Sequence, residues 1–255
     1  MNKKLFLEKI STNFPFSFTK EQEKIINELS DYILSTSTRN IFLLKGYAGT
    51  GKTTLISALV KSLSSVNKKP SLLAPTGRAA KVLANYAKKS ASTIHRKIYW
   101  INTNKQGNTY IKLKENTHTN TIFIVDEASM IPKSSDKGFA NRSLLDDLIE
   151  YVYDGIGCKL VLIGDTAQLP PVHLDISPAL DEALLTINYN KEIICASLVE
   201  VVRQTKSSTI LLNATRIRKQ ISNRQFHLPQ LETSEDVIRI QLSLIHISEP
   251  TRHES

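Results

Sequence analysis

Cysteine, methionine and tryptophan are almost missing from this 255-residue chain, with two, two and one residues respectively. The two cysteines, Cys158 and Cys195, lie far apart with no partner at metal-ligand spacing. That excludes a disulfide framework and a cysteine-built zinc site, and both read as small core residues in a reducing compartment. No apolar run reaches membrane-spanning length. The opening stretch MNKKLFLEKI has two lysines before Leu5-Phe6-Leu7, but Glu8 and Lys9 end that run too early for a secretory signal. A cytoplasmic location is the expectation. Glycine and proline are scarce as well, nine each, and no internal repeat or low-complexity linker is visible.

Acidic residues are the last deficit. There are 24 against 33 lysines and arginines, a formal net charge of +9. Such an excess favours polyanionic partners, nucleic acid first among them. The segment from Arg96 to Lys114 concentrates it, with Arg96, Lys97, Lys105, Lys112 and Lys114 and no acid between them.

What is present is a rhythm. NIFLLKG (40–46), SLLAP (71–75), TIFIVDE (121–127) and KLVLIGD (159–165) are apolar enough to be buried parallel strands. Amphipathic stretches such as KTTLISALVKSL (52–63) and NRSLLDDLIEYV (141–152) separate them. The pattern predicts an α/β fold, a parallel sheet flanked by helices, with ligand chemistry at the carboxyl ends of the strands. One segment breaks the rhythm. KIYWINTNKQGNTYIKLKEN (97–116) has two β-prone runs around Asn104-Lys105-Gln106-Gly107, which predicts an inserted β-hairpin occupying 97–118.

GYAGTGKTT (46–54) fits G-x-x-x-x-G-K-[ST] between a predicted strand and a predicted helix. Gly46, Gly49 and Gly51 let the backbone curl so that its N–H groups, with those of Thr50 and Thr54, converge on phosphate oxygens. The helix that follows presents its positive end. Lys52 is expected to reach the β- and γ-phosphates and the Thr53 hydroxyl to bind Mg²⁺, which makes ATP with Mg²⁺ the expected ligand. In IFIVDEASM (122–130), Asp126 falls at a strand end, where its carboxylate can hold Mg²⁺ through water. Glu127 beside it can take a proton from an attacking water. In VLIGDTAQLPPV (161–172), Gln168 places a neutral amide on the loop after another strand, stiffened by Pro170 and Pro171. An amide there can sense a γ-phosphate without adding charge, or it can be an ordinary turn residue.

In this order, with LLAPTGRAAKVL (72–83) and STIHR (92–96) between them, these stretches resemble superfamily 1 helicases of the RecD and Dda branch. FTKEQEKII (18–26) resembles that family's adenine-contacting motif, with Gln22 on the base, although Thr19-x-x-Gln22 also reads as a helix capping box. LVEVVRQ (198–204) resembles the motif that brings an arginine, here Arg203, to the γ-phosphate. The resemblance covers most of residues 18–221. It implies RecA-like P-loop motor domains, ATP between two of them, and single-stranded DNA or DNA with a single-stranded overhang across their tops, with five-prime to three-prime movement. It also implies strand contacts at Pro75, Thr76, Gly77, Arg78 and His95, and at Trp100 on a strand-separating pin. Arg78 can equally be a solvated surface arginine, and Trp100, Tyr99 and Tyr110 can equally pack their own hairpin.

The domain expectation is a first RecA-like motor over 1–196 and the truncated start of a second over 197–241. Residues 242–255 resemble the conceptual translation of a transposase sequencing adapter, which has no place in the fold. The leading reading is an ATP-dependent DNA helicase present as an N-terminal fragment. A nucleotide- and nucleic-acid-binding P-loop module without unwinding activity, and a P-loop small-molecule kinase, are the alternatives.

Overall fold

Alternation inside the apolar runs decides how the chain layers. Successive residues of a strand face opposite sides of a sheet, so a run apolar at every position needs cover on both faces. A computed structural model describes residues 2–103, 109–132, 143–168, 177–200, 202, 209–225, 227–234 and 237. It has two compact units, Met1–Arg203 and Gln204–Ser255.

In the first unit, helices α1 (Lys3–Asn13) and α2 (Lys20–Leu34) precede strand β1 (Asn40–Gly46). Then follow α3 (Lys52–Ser62), β2 (Lys69–Ala74), α4 (Gly77–Ala87), β3 (Ala91–Thr93) and α5 (Ile94–Ile98). The hairpin strands β4 (Tyr99–Thr103) and β5 (Thr109–Leu113) lead to β6 (Thr121–Val125), α6 (Leu144–Asp154) and β7 (Lys159–Gly164). The unit closes with α7 (Glu182–Tyr189) and β8 (Glu192–Leu198). The main sheet is six-stranded, ordered β3-β2-β6-β7-β1-β8, and every pairing is parallel. The strands predicted at 40–46, 71–75, 121–127 and 159–165 are four of the six.

Phe42, Leu44, Ile122, Ile124, Val161 and Ile163 face one side and pack with Phe6, Leu29 and Leu59 of α1, α2 and α3. Ile41, Leu43, Phe123, Val125, Leu160 and Leu162 face the other and pack with Ile98, Leu148 and Leu185 of α5, α6 and α7. Each such side chain contributes roughly 1.5–3 kcal/mol on full burial. The two cores clamp the central strands β6, β7 and β1, whose carboxyl ends carry the candidate chemistry.

The hairpin is an antiparallel pair with Tyr99 opposite Leu113 and Trp100 opposite Lys112. Its root is pinned. The buried Tyr99 hydroxyl donates to Asp147 Oδ2 of α6 at 2.6 Å, and Lys114 N donates to Ile98 O at 2.7 Å. Tyr99 therefore packs into the domain core against α6, beyond its own hairpin. Residues 104–107, read as the hairpin turn, and the side chain of Tyr110 lie outside the described residues.

In the second unit, α8 (Thr209–Ser222) is bound by a following segment: Asn213 Nδ2 donates to Glu232 O at 2.8 Å, and Arg216 pairs with Glu232 at 2.5 Å. Residues 238–255, which contain the adapter-like run, lie outside the described residues.

Candidate active site

β1 ends at Gly46, a position with no room for a side chain: a Cβ there would sit 3.0 Å from Leu198 Cβ and O of β8. The loop after it turns through Gly49 and Gly51 at φ +83° and +87°, a left-handed backbone that glycine alone adopts without strain. Gly51 caps α3, so Lys52, Thr53 and Thr54 form the first helical turn, partly exposed, at the positive end of the helix dipole. Thr50 is fully buried, its hydroxyl donating to Tyr47 O at 2.8 Å. The Lys52 ammonium lies across the loop, donating to Gly46 O at 2.5 Å and Tyr47 O at 2.8 Å.

Gln22 braces this loop. Thr19 and Gln22 form the capping box of α2 in both directions, with Gln22 Oε1 accepting from Thr19 N at 3.1 Å. The other end of the same amide, Nε2, donates to Thr50 O at 3.3 Å and would lie only 2.9 Å from a Cβ on Gly51. The side chain is 2% exposed. Capping and loop support thus share one amide.

Asp126 follows β6 directly, its N–H bonded to Leu73 O at 3.0 Å. Burial pushes its carboxyl above the usual range; the Glu127 N–H, bonded to Oδ1 at 3.0 Å, pulls it back, the Glu127 charge adds to the rise, and the Lys52 charge opposes it. The phosphate loop and the β6 end are therefore electrostatic neighbours. Glu127 sits at φ +55°, ψ +37°, a left-handed conformation uncommon for a residue with a Cβ, and opens a short 3₁₀ turn, Ala128–Met130.

β7 brings the third group. Asp165, 5% exposed, holds its turn by accepting the Ala167 N–H at 2.8 Å, and Gln168 N bonds Asp165 O at 3.3 Å. The exposed Gln168 then accepts from Ser129 Oγ at 2.8 Å, two residues past Glu127. Ser129 was not singled out from the sequence, although it lies within IFIVDEASM. Its hydroxyl ties the β7 loop to the β6 loop. Pro170, Pro171 and Arg203 lie outside the described residues. Val202, just before Arg203, donates its N–H to Gly49 O at 3.1 Å. The stretch leading to it is held by Glu21, whose Oε2 accepts from Val199 N at 3.0 Å and Glu200 N at 3.1 Å. Neither Glu21 nor this tether was visible in the letters, because the partners are about 180 residues apart.

Lys52, Asp126, Glu127 and Gln168 thus come together at the ends of β1, β6 and β7. The residues read as strand contacts lie elsewhere, on the β2–β3 side of the sheet. Pro75, half-buried, and the exposed Thr76, Gly77 and Arg78 follow β2, with Thr76 Oγ1 capping α4 by accepting from Ala79 N at 3.2 Å. His95, half-buried in α5, is tilted against Tyr99 with ring centroids 5.8 Å apart. Trp100 is 60% exposed.

Among the described residues no group of three or more histidine, cysteine or acidic side chains could hold a metal by itself. A hard, oxygen-liganded cation would instead take Thr53, Asp126 and the phosphates of a nucleotide. That donor set fits Mg²⁺, which binds through one or two carboxylates plus substrate oxygens. Among those residues, too, no helix is long and apolar enough to cross a membrane.

Comparison with known proteins accords with this arrangement. The chain is 27% identical to the ATP-dependent RecD2 DNA helicase of Deinococcus radiodurans over 237 residues, covering 91% of this chain and 29% of that protein. It is 30% identical to the ATP-dependent DNA helicase dda of Enterobacteria phage T4 over 178 residues, 69% of this chain and 37% of that one. Among solved structures, a Pif1 helicase from Candida albicans superposes with a TM-score of 0.51 at 21% identity, over 80% of this chain and 44% of that one. A Bacteroides Pif1 helicase in complex with ADP-AlF3 and single-stranded DNA gives 0.50 at 21%, over 83% and 48%. These two similarities establish the RecA-like fold. The chain spans under two fifths of the length of either helicase relative. The family model AAA_30, an AAA domain, matches residues 17–228, and the chain belongs to that family.

Proposed function

We propose that this chain is the ATP-binding motor domain of an ATP-dependent DNA helicase, with the beginning of a second motor domain after it. The observation that carries the reading is the meeting of Lys52, Asp126, Glu127 and Gln168 at three adjacent strand ends. The substrate is ATP, its phosphates cradled by the N–H groups of residues 46–54. Lys52, swung off Gly46 O and Tyr47 O, neutralises the β- and γ-phosphates. Thr53 and Asp126 would hold Mg²⁺, which when bound supplies charge neutralisation between the two phosphates. Glu127 accepts the proton of the attacking water.

Gln168 carries the signal outward. Its Oε1 is tied to Ser129, so a change at the γ-phosphate felt by the amide reaches the β6 loop and the β7 loop together. Arg203 would complete the charge cage; Val202, the described residue before it, donates its N–H to Gly49 O of the phosphate loop. Single-stranded DNA is the proposed partner, contacted at Pro75, Thr76, Gly77, Arg78 and His95, with movement five-prime to three-prime as in the RecD-like branch. A cytoplasmic location follows from the same reading.

The test is nucleotide binding by the chain itself. A fluorescent ATP analogue with Mg²⁺ is expected to bind, and Lys52→Ala is expected to weaken it by about 1.5–3 kcal/mol, the loss of a charge-assisted contact. Turnover should be slow and duplex unwinding absent. Failure to bind ATP would end the reading, and robust unwinding would overturn the proposal of an incomplete motor.

A further inference from the structure

The phosphate loop has an outer face as well as an inner one, and the first turn of α2 holds the outer face. The pairing of β8 with β1 ends at Leu198, opposite Gly46, and the N–H groups of the next two residues leave the ladder. Glu21 takes them up. One carboxylate oxygen, Oε2, accepts from Val199 N at 3.0 Å and from Glu200 N at 3.1 Å, a charge-assisted pair. Held there, the backbone after β8 meets the loop at several points. Leu198 O accepts from Tyr47 N at 3.4 Å, and Val202 N donates to Gly49 O at 3.1 Å. A Cβ on Gly51 would lie 3.3 Å from Val202 Cγ2. Gln22, next to Glu21, grips the following carbonyl, Thr50 O, at 3.3 Å.

Two consecutive loop carbonyls, Gly49 O and Thr50 O, are thus drawn outward by donors that α2 positions. In a trans peptide the N–H points opposite to the C=O, so the Thr50 and Gly51 N–H groups are turned to the other face. That face is the inner one: Thr50 N reaches Tyr47 O at 3.4 Å, the same carbonyl that receives Lys52 Nζ at 2.8 Å. A phosphate oxygen takes up such N–H groups, and a loop already turned toward it binds without the cost of reorienting. We propose that Glu21 is a positioning residue for nucleotide binding. It holds Val199 and Glu200, and with them Val202, so that the Gly49–Thr50 peptide presents its N–H to the phosphates. This rests on the reading of residues 46–54 as a phosphate cradle and gives that cradle a second support beside Gln22. Glu21 also stands in the first turn of α2, where an acid favours the helix dipole. That effect needs the charge; the clamp needs only an oxygen that accepts two bonds.

The test uses the fluorescent ATP analogue and, as its competitor, inorganic tripolyphosphate, each measured well below the unfolding temperature of every variant. Glu21→Ala is expected to weaken both ligands by the same factor, about three- to tenfold, the worth of a lost hydrogen bond or two. Glu21→Gln, whose amide oxygen still accepts from both N–H groups, should keep most of the affinity. Val202→Pro deletes the N–H that holds Gly49 O and should reproduce the loss, and the double variant should lose little more than either single one. A lower unfolding temperature in Glu21→Ala with both affinities intact would reduce the residue to a structural tie and overturn the proposal. So would a loss confined to the ATP analogue, which would place Glu21 with the base rather than the phosphates. Glu21→Gln as weak as Glu21→Ala would replace the clamp by the dipole effect, and losses that add in the double variant would break the route through Val202. Should Val202→Pro fail to fold, the two Glu21 variants against the two ligands still decide. A wild-type chain that binds neither ligand removes the phosphate cradle and this proposal with it; one that binds both, with Glu21→Ala unaltered, removes the proposal alone.

Discussion

Two lysines at opposite ends of the same sheet, one on a strand and one on the helix after a strand, make opposite use of similar bonds. Lys52 stands at the carboxyl end of β1, and Lys159 at the amino end of the neighbouring β7. Both ammoniums donate to oxygen: Lys52 to Gly46 O and Tyr47 O, Lys159 to Ser35 Oγ at 2.9 Å and Ser37 O at 2.7 Å. Lys159 also lies 4.7 Å from the Tyr32 ring centroid and is 2% exposed. Burial, and then the charge of Lys68, draw its pKa down to about 8. Lys52 is half-exposed and feels the charge of Asp126 across the loop. A lysine wrapped in its own fold serves packing and tends to shed its charge. One half-exposed beside the Asp126 charge stays open to something that arrives from outside.

That contrast can be broken most severely at Glu127. Glu127→Gln keeps the shape and removes the proposed proton acceptor, so ATP turnover should fall by about 10²–10⁴-fold while binding of the fluorescent analogue persists. Equal loss of both in single-turnover and binding assays would place Glu127 in nucleotide binding rather than in proton transfer.

A smaller effect is expected at Lys159, and it is read as a pH profile. The folded pKa of about 8 lies below the ordinary 10.5, so between those values the unfolded chain holds a proton that the folded chain has released. Stability contributed by this group therefore rises with pH across that window, and the burial penalty is fully present below it. Burial raises the thiols of Cys158 and Cys195, the latter to about 11 from 9.0, and these work in the opposite sense above pH 9. The informative quantity is the difference between the wild type and Lys159→Met in denaturant titrations from pH 7 to pH 10. The wild type should gain on the variant as pH increases. A flat difference would mean the amine keeps its ordinary pKa.

The smallest effect belongs to Gly77. A Cβ there would meet nothing within 4 Å, and its φ is not positive. Gly77→Ala should leave thermal stability unchanged or raise it by up to about 1 kcal/mol through helix propensity. If a strand approaches the start of α4 closely, the same change should weaken oligothymidylate binding several-fold. Unaltered affinity would remove the steric reason for a glycine at this position.

How much of this was readable depended on the range of each interaction. The phosphate loop is a local object: its left-handed glycines, its lysine and its helix start lie within nine residues of sequence. The four central strands were legible because burial on both faces demands unbroken apolar runs. β8 was not, because it is an edge strand of which only Ala196 and Leu198 are buried and whose letters, EIICASL, mix apolar and small polar types. β3 is three residues long, and its pattern carries no period. Gln22 was read as a cap that can also contact a nucleotide base. Its geometry added a third role, support of the phosphate loop through Thr50 O, that no spacing rule contains.

By itself, then, the sequence determined the βαβ order and the hairpin and put the candidate residues for phosphate chemistry at strand ends, because turn geometry and apolar period are written within short windows. Only the tertiary structure decided that Gln168 is tied to Ser129, and that Glu21 and Gly49 hold the approach to Arg203. Those contacts join residues distant in sequence, and only the packing of a sheet between two helical layers brings their atoms within reach.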